Sequence, residues 1–114
     1  MKERVYQFLG LGQKAGYILS GDTQIRDGVR RRKGKLLILA TDAARRTAEN
    51  YQALSAVNHI PVCFFGEKEA LGHILGKTER TALLITDIKF SKAVLRKLET
   101  EQEGRVWQNT ESMN

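Results

Sequence analysis

Leu36-Leu37-Ile38-Leu39-Ala40-Thr41-Asp42 is the stretch on which the fold turns. Five apolar residues follow one another with no polar alternation, the pattern of a short strand covered on both faces, as parallel strands are. Gly34 ends the segment before it, and Thr41-Asp42 supplies an N-cap for a helix after it, which places Ala44, Thr47, Ala48, Tyr51 and Leu54 on the inward face. Pro61 forbids helix at the residue before it and opens a second apolar strand, Val62-Cys63-Phe64-Phe65, which Gly66 terminates. A short helix with Leu71, Ile74 and Leu75 inward leads to a third apolar strand, Thr81-Ala82-Leu83-Leu84-Ile85. Thr86-Asp87 then repeats the strand-to-helix device before an amphipathic helix that runs through Leu98.

Upstream, Val5, Phe8, Leu9, Gly12 and Ala15 keep helical spacing, so a first helix ends near Gly16 and a short strand, Tyr17-Ile18-Leu19-Ser20, follows. Asp22 is the expected N-cap of a second helix reaching Lys33, with Ile25, Gly28 and Val29 as its apolar stripe. Helices alternating with strands covered on both faces imply an α/β fold, a three-layer α-β-α sandwich with a mixed sheet of about four strands. Residues 1–99 are read as a single domain and residues 100–114 as a polar C-terminal tail without periodicity, apart from Val106 and Trp107.

The 114 residues carry a net charge of +6. Seven of the basic residues lie between Lys14 and Lys35 against only Asp22 and Asp27, while the rest of the chain is nearly neutral. Attraction to a polyanion is the functional reading of that asymmetry, and cations offsetting a helix dipole is the structural one. On a helical wheel Arg26, Arg30 and Lys33 fall within about 60° of one another and form a basic ridge able to follow phosphates. The start of that helix adds free backbone N–H groups, with Thr23 and Gln24 in reach of base edges or riboses.

Enzymatic and cofactor readings find less support. Gly10-Leu11-Gly12-Gln13-Lys14-Ala15 has the spacing of a dinucleotide fingerprint, but no strand precedes it and its glycines lie inside a helix, where small residues allow close packing on the sheet. His59 and His73 lack companions at ligand spacing, so no metal is expected, and Cys63 reads as a buried hydrophobe. Asp42 and Asp87 stand where a catalytic carboxylate could, yet capping explains both. No residue set assembles a nucleophile, a base and an oxyanion donor. No stretch has the length of a signal peptide or a membrane span, and the expected location is the cytoplasm.

Several short stretches together resemble a known family. These are Leu9-Gly10-Leu11, Gln13-Lys14-Ala15-Gly16, Ser20-Gly21, Lys35-Leu36-Leu37-Ile38-Leu39-Ala40-Thr41-Asp42-Ala43, Ile60-Pro61, Lys68, Leu71-Gly72 with Gly76, and Thr86-Asp87 with Phe90. They resemble the ribosomal protein L-seven-Ae / L-thirty-e family of kink-turn RNA-binding proteins, most closely its short bacterial YlxQ-like branch. The resemblance implies that the turn after the first strand enters an RNA groove at tandem G·A pairs. The family reads Gly-x-Asn-Glu-x-x-Lys there, and the matching positions are Gly21, Thr23, Gln24 and Asp27, of which only the glycine agrees; weaker kink-turn binding is expected. It also implies a second contact at Phe65-Gly66-Glu67-Lys68, supporting nucleotides flipped out of the helix.

The chain is therefore expected to bind structured RNA, with ribosomal RNA the expected class, without cofactor, metal or catalysis, and to be able to associate with the ribosome. The expected contacts are Ser20, Gly21, Asp22, Thr23, Gln24, Arg26, Asp27, Arg30, Lys33, Thr41, Asp42, Phe65, Gly66 and Lys68. A protein-interaction module using the same sheet edge is the first alternative, and a nucleotide-binding enzyme the second.

Overall fold

A computed structural model describes residues 2–101. The elements run α1 (Lys2–Lys14), β1 (Ile18–Leu19), α2 (Asp22–Arg30), β2 (Leu36–Leu39), α3 (Arg45–Val57), β3 (Val62–Phe64), α4 (Lys68–Ile74), β4 (Ala82–Ile85) and α5 (Ile88–Glu101). Residues 102–114, with Val106 and Trp107, lie outside the described residues. The four strands form one sheet in the order β1-β4-β2-β3. β2 is parallel to β3, with Ile38 opposite Cys63, and antiparallel to β4, with Ile38 opposite Leu83. β1 is antiparallel to β4.

Successive strand residues point to opposite faces, so one strand feeds two cores. From β2, Leu36 and Ile38 join Val5, Leu9, Phe65, Leu71, Phe90, Val94 and Leu98 under α1, α4 and α5. Leu37 and Leu39 join Ile25, Val29, Tyr51 and Leu84 under α2 and α3. None of the four β2 side chains is more than 1% exposed. The sheet is mixed, and β4 is antiparallel despite its unbroken apolar run. Coverage by helices on both faces, and not parallel pairing, is what removes the polar alternation.

Several local expectations change. The N-cap of α2 is Gly21, in an extended conformation, and Asp22 is already helical with no side-chain capping bond. α2 ends at Arg30 and not at Lys33, and the left-handed residue that follows it is Arg32, at φ 60°, two residues before Gly34. Thr41 and Asp42 do not cap α3, which starts three residues later behind Ala44, an exposed residue. Asp87 does cap its helix, accepting the Phe90 N–H at 2.9 Å. α5 continues beyond Leu98 to Glu101.

Gly12 is needed for packing, but against α5 and not the sheet. A Cβ there would lie 2.3 Å from the ring of Phe90, which is itself held by Phe8 (centroids 4.7 Å apart) and Tyr17 (5.5 Å). With its ring clamped on two sides, Phe90 has little freedom to give way. Gly12→Ala should therefore destabilise the fold by about 1–3 kcal/mol, read as a lower urea midpoint at unchanged m. Adding Phe90→Leu should recover part of that loss; a Gly12→Ala protein as stable as the parent would mean that this helix contact is slack.

Candidate nucleic-acid interface

The strand directions bring four chain segments to one edge of the sheet. β1, β2 and β3 end there and β4 begins there, since Leu19 lies opposite Leu84 and Leu39 lies opposite both Phe64 and Ala82. Backbone bonds tie the emerging segments together. The Ala40 N–H donates to the Thr81 carbonyl (2.8 Å), the Thr41 N–H to the Gly66 carbonyl (2.7 Å), and the Arg80 N–H to the Lys68 carbonyl (3.1 Å). The turns after Ala40 and Phe65 thus lie side by side at this edge.

Thr41 and Asp42 hold this assembly together. The Thr41 hydroxyl donates to the Gly66 carbonyl at 2.9 Å, and the Asp42 carboxylate accepts the Lys68 N–H at 2.9 Å, satisfying a donor in the first turn of α4. Gly66 sits at φ 77°, where a side chain would also meet the Tyr6 hydroxyl. Phe65 is 1% exposed and its ring packs 5.0 Å from that of Tyr6, so it supports the loop from the core and presents no ring to a ligand.

At the start of α2 the side chains of Thr23 and Gln24 are exposed. Asp22 accepts the Tyr51 hydroxyl at 2.6 Å and Arg26 Nε at 3.1 Å, and the Arg26 guanidinium lies 5.6 Å from the centre of the Tyr51 ring. The Tyr51 hydroxyl, and then Arg26, hold the Asp22 carboxyl below its ordinary range. Burial, reinforced by Asp22, pushes the Tyr51 phenol up, so it stays a proton donor at neutral pH. Ser20 is buried beside them, its hydroxyl oxygen accepting Arg80 Nε at 3.1 Å.

These groups border an open cleft of about 500 Å³ whose walls include Gly21, Asp22, Arg26, Tyr51, Glu79 and Arg80. Arg80, Tyr51 and Glu79 were not among the residues expected from sequence. A parallel β4 would have sent Arg80 to the far edge, and no local pattern around Leu83 announces the antiparallel direction. The same reversal carries the Thr86-Asp87 echo away from the site.

The basic ridge is only partly realised. Arg26 is paired with Asp22, while Arg30 and Arg31 both pair with Asp27. Lys33 lies past the end of α2, at the opposite edge of the sheet, with the expected helical alignment lost at Arg32. Among the described residues no three His, Cys, Asp or Glu side chains come together as a metal site, and no helix is long and apolar enough to cross a membrane. Cys63 is buried, and burial pushes its thiol up to about 12.

Comparison with known proteins agrees with this architecture. The chain is 26% identical over 94 residues to the RNA-binding protein YlxQ of Bacillus subtilis (strain 168), a match covering 82% of this chain and 94% of that protein. A solved structure of a protein of unknown function from Bacillus halodurans C superposes with a TM-score of 0.77 at 28% identity, covering 83% of this chain and 96% of the other. The model of the ribosomal protein L7Ae/L30e/S12e/Gadd45 family matches residues 3–95. With nearly the whole α-β-α framework inside that match, the chain belongs to the ribosomal protein L7Ae/L30e/S12e/Gadd45 family.

Proposed function

We propose that this chain is a non-catalytic RNA-binding protein of the cytoplasm that recognises a kinked, structured RNA and is able to associate with the ribosome. The observation that carries the reading is the convergence of the α2 start, Tyr51 and Arg80 around one open, polar cleft, at the sheet edge where the Gly66 loop also emerges. A helix N-terminus and two guanidinium groups suit phosphate, and exposed Thr23 and Gln24 stand beside them to meet base edges. A cleft of about 500 Å³ has room for a nucleotide extruded from a helix. The name of the YlxQ relative and the family match support RNA as the ligand. Nucleotide chemistry is less favoured, because the cleft walls hold neither a cysteine nor a histidine and Asp22 is committed to Tyr51 and Arg26.

Phosphate neutralisation releases counterions, so affinity for such an RNA should fall with salt at roughly 0.7–0.9 log units per contact per log unit of salt. Arg80→Ala should flatten that dependence by about one contact. Arg26→Ala should do less, because Asp22 already neutralises Arg26. Filter binding across a salt series measures both; a complex indifferent to salt would instead favour a protein partner at this edge.

Base reading is tested by restoring the family's side chains. Thr23→Asn, Gln24→Glu and Asp27→Lys together should tighten binding to an RNA with tandem G·A pairs at a kink by about tenfold or more, taking about 1–3 kcal/mol for each good base contact. Asp27→Lys also frees Arg30 and Arg31 from their shared carboxylate. The gain has to be selective: an equal rise for a straight duplex would show that added charge, not positioning of the Gly21 turn, is responsible.

A further inference from the structure

The strongest unassigned feature lies at the other edge of the sheet. Arg30, Arg31, Arg32, Lys33 and Lys35 place five cations within six residues of the turn joining α2 to β2. Asp27 pairs with the first two. Among the described residues no carboxylate pairs with Arg32, Lys33 or Lys35, and no bond within the fold uses the Arg32 or Lys33 side chain. Dipole compensation accounts for cations in the last helical turn, which Arg30 occupies; Arg32 and Lys33 lie past it.

The backbone adds an independent sign. Arg32 (φ 60°) and His59 (φ 56°) are the non-glycine residues in the left-handed region among the described residues, and both follow a helix C-terminus, where glycine or asparagine is the unstrained choice. Both line one cleft of about 310 Å³, together with Asn58 and the 77% exposed Val57. A glycine stands two residues beyond Arg32. The chain thus keeps a guanidinium and an imidazole at two strained positions that face the same groove, the arrangement in which strain is worth reading as function.

We propose that this turn is a second RNA-backbone contact, with Arg32, Lys33 and Lys35 holding phosphates and His59 and Asn58 offering hydrogen bonds beside them. The two faces are separated by the length of α2, about 14 Å at 1.5 Å per residue. One molecule therefore clasps two RNA segments, the kinked one at the cleft and a plain helical one at the turn. The proposal rests on the RNA reading of the cleft for the identity of its ligand, while its residues are entirely distinct from that site.

The test uses the full chain and two RNAs: an immobilised kinked RNA with tandem G·A pairs, and a labelled straight duplex. Protein captured on the kinked RNA should retain the duplex. Replacing Arg32, Lys33 and Lys35 together by Ser should weaken duplex binding at least about tenfold and lower its salt slope by roughly 2–3, with kinked-RNA affinity held within about twofold. Arg80→Ala should give the reverse pattern. Arg32→Gly guards against misfolding as an explanation: relief of the left-handed strain should raise Tm while duplex binding still weakens. Duplex binding lost in the triple variant of a protein that never binds the kinked RNA would support this face and refute the cleft. Duplex binding unchanged in the triple variant, or lost equally in Arg80→Ala, would overturn the second face. Tighter binding of this turn to polyglutamate than to the duplex at equal charge would also overturn it, in favour of an acidic protein partner.

Discussion

Burial of β2 on both faces is the constraint from which the rest of the structure follows. Its alternating side chains supply Leu36 and Ile38 to one core and Leu37 and Leu39 to the other, none more than 1% exposed. A sheet sealed in this way has no free face to offer a ligand. Room for a ligand is left at the two edges, where segments leave the strands and backbone groups are no longer consumed by the ladder. One edge gathers the Gly21 turn, the Gly66 loop and Arg80; the other gathers the basic turn and His59.

Rigidity at the first edge comes from short polar residues used in an unexpected way. Asp42 and Asp87 follow strands in the same Thr-Asp context, yet only Asp87 caps the helix that follows it. Asp42 reaches across to the start of α4, because β2 and β3 are parallel and their ends emerge side by side. A carboxylate satisfies whichever orphan N–H lies nearest, and at Asp42 that donor belongs to a segment 26 residues further along. The outcome is a loop pinned to the scaffold, already ordered for any ligand that would meet it.

Charge shows the same dependence on neighbours. A helical wheel aligned Arg26, Arg30 and Lys33 as one ridge, but Asp22 and Asp27 sit one turn away and draw Arg26 and Arg30 into i,i+4 and i,i+3 pairs. Lys33 left the ridge because the helix stops at Arg30. The uncompensated charge therefore lies beyond the helix, where a periodicity argument has no purchase. Exposed pairs of this kind contribute little stability, so their effect is to dispose charge and not to hold the fold.

The apolar runs around Ile38, Cys63 and Leu83, the glycine punctuation and the spacing of the helical stripes were sufficient to establish three buried strands, the flanking helices and the α-β-α layering. Those features follow from local periodicity and from the cost of leaving apolar surface in water, and each is written in consecutive residues. Of the segments that the fold gathers at the candidate edge, the sequence announced the Gly21 turn, Thr41-Asp42 and Lys68. Phe65 was expected as a contact because the family resemblance placed it in a loop that meets flipped-out nucleotides, but tertiary packing against Tyr6 buries it. Arg80 and Tyr51 were invisible because their place depends on which way β4 runs and on how α3 lies over α2. Strand direction is decided by contacts between residues tens of positions apart, such as Leu39 with Ala82, and no local pattern carries that information.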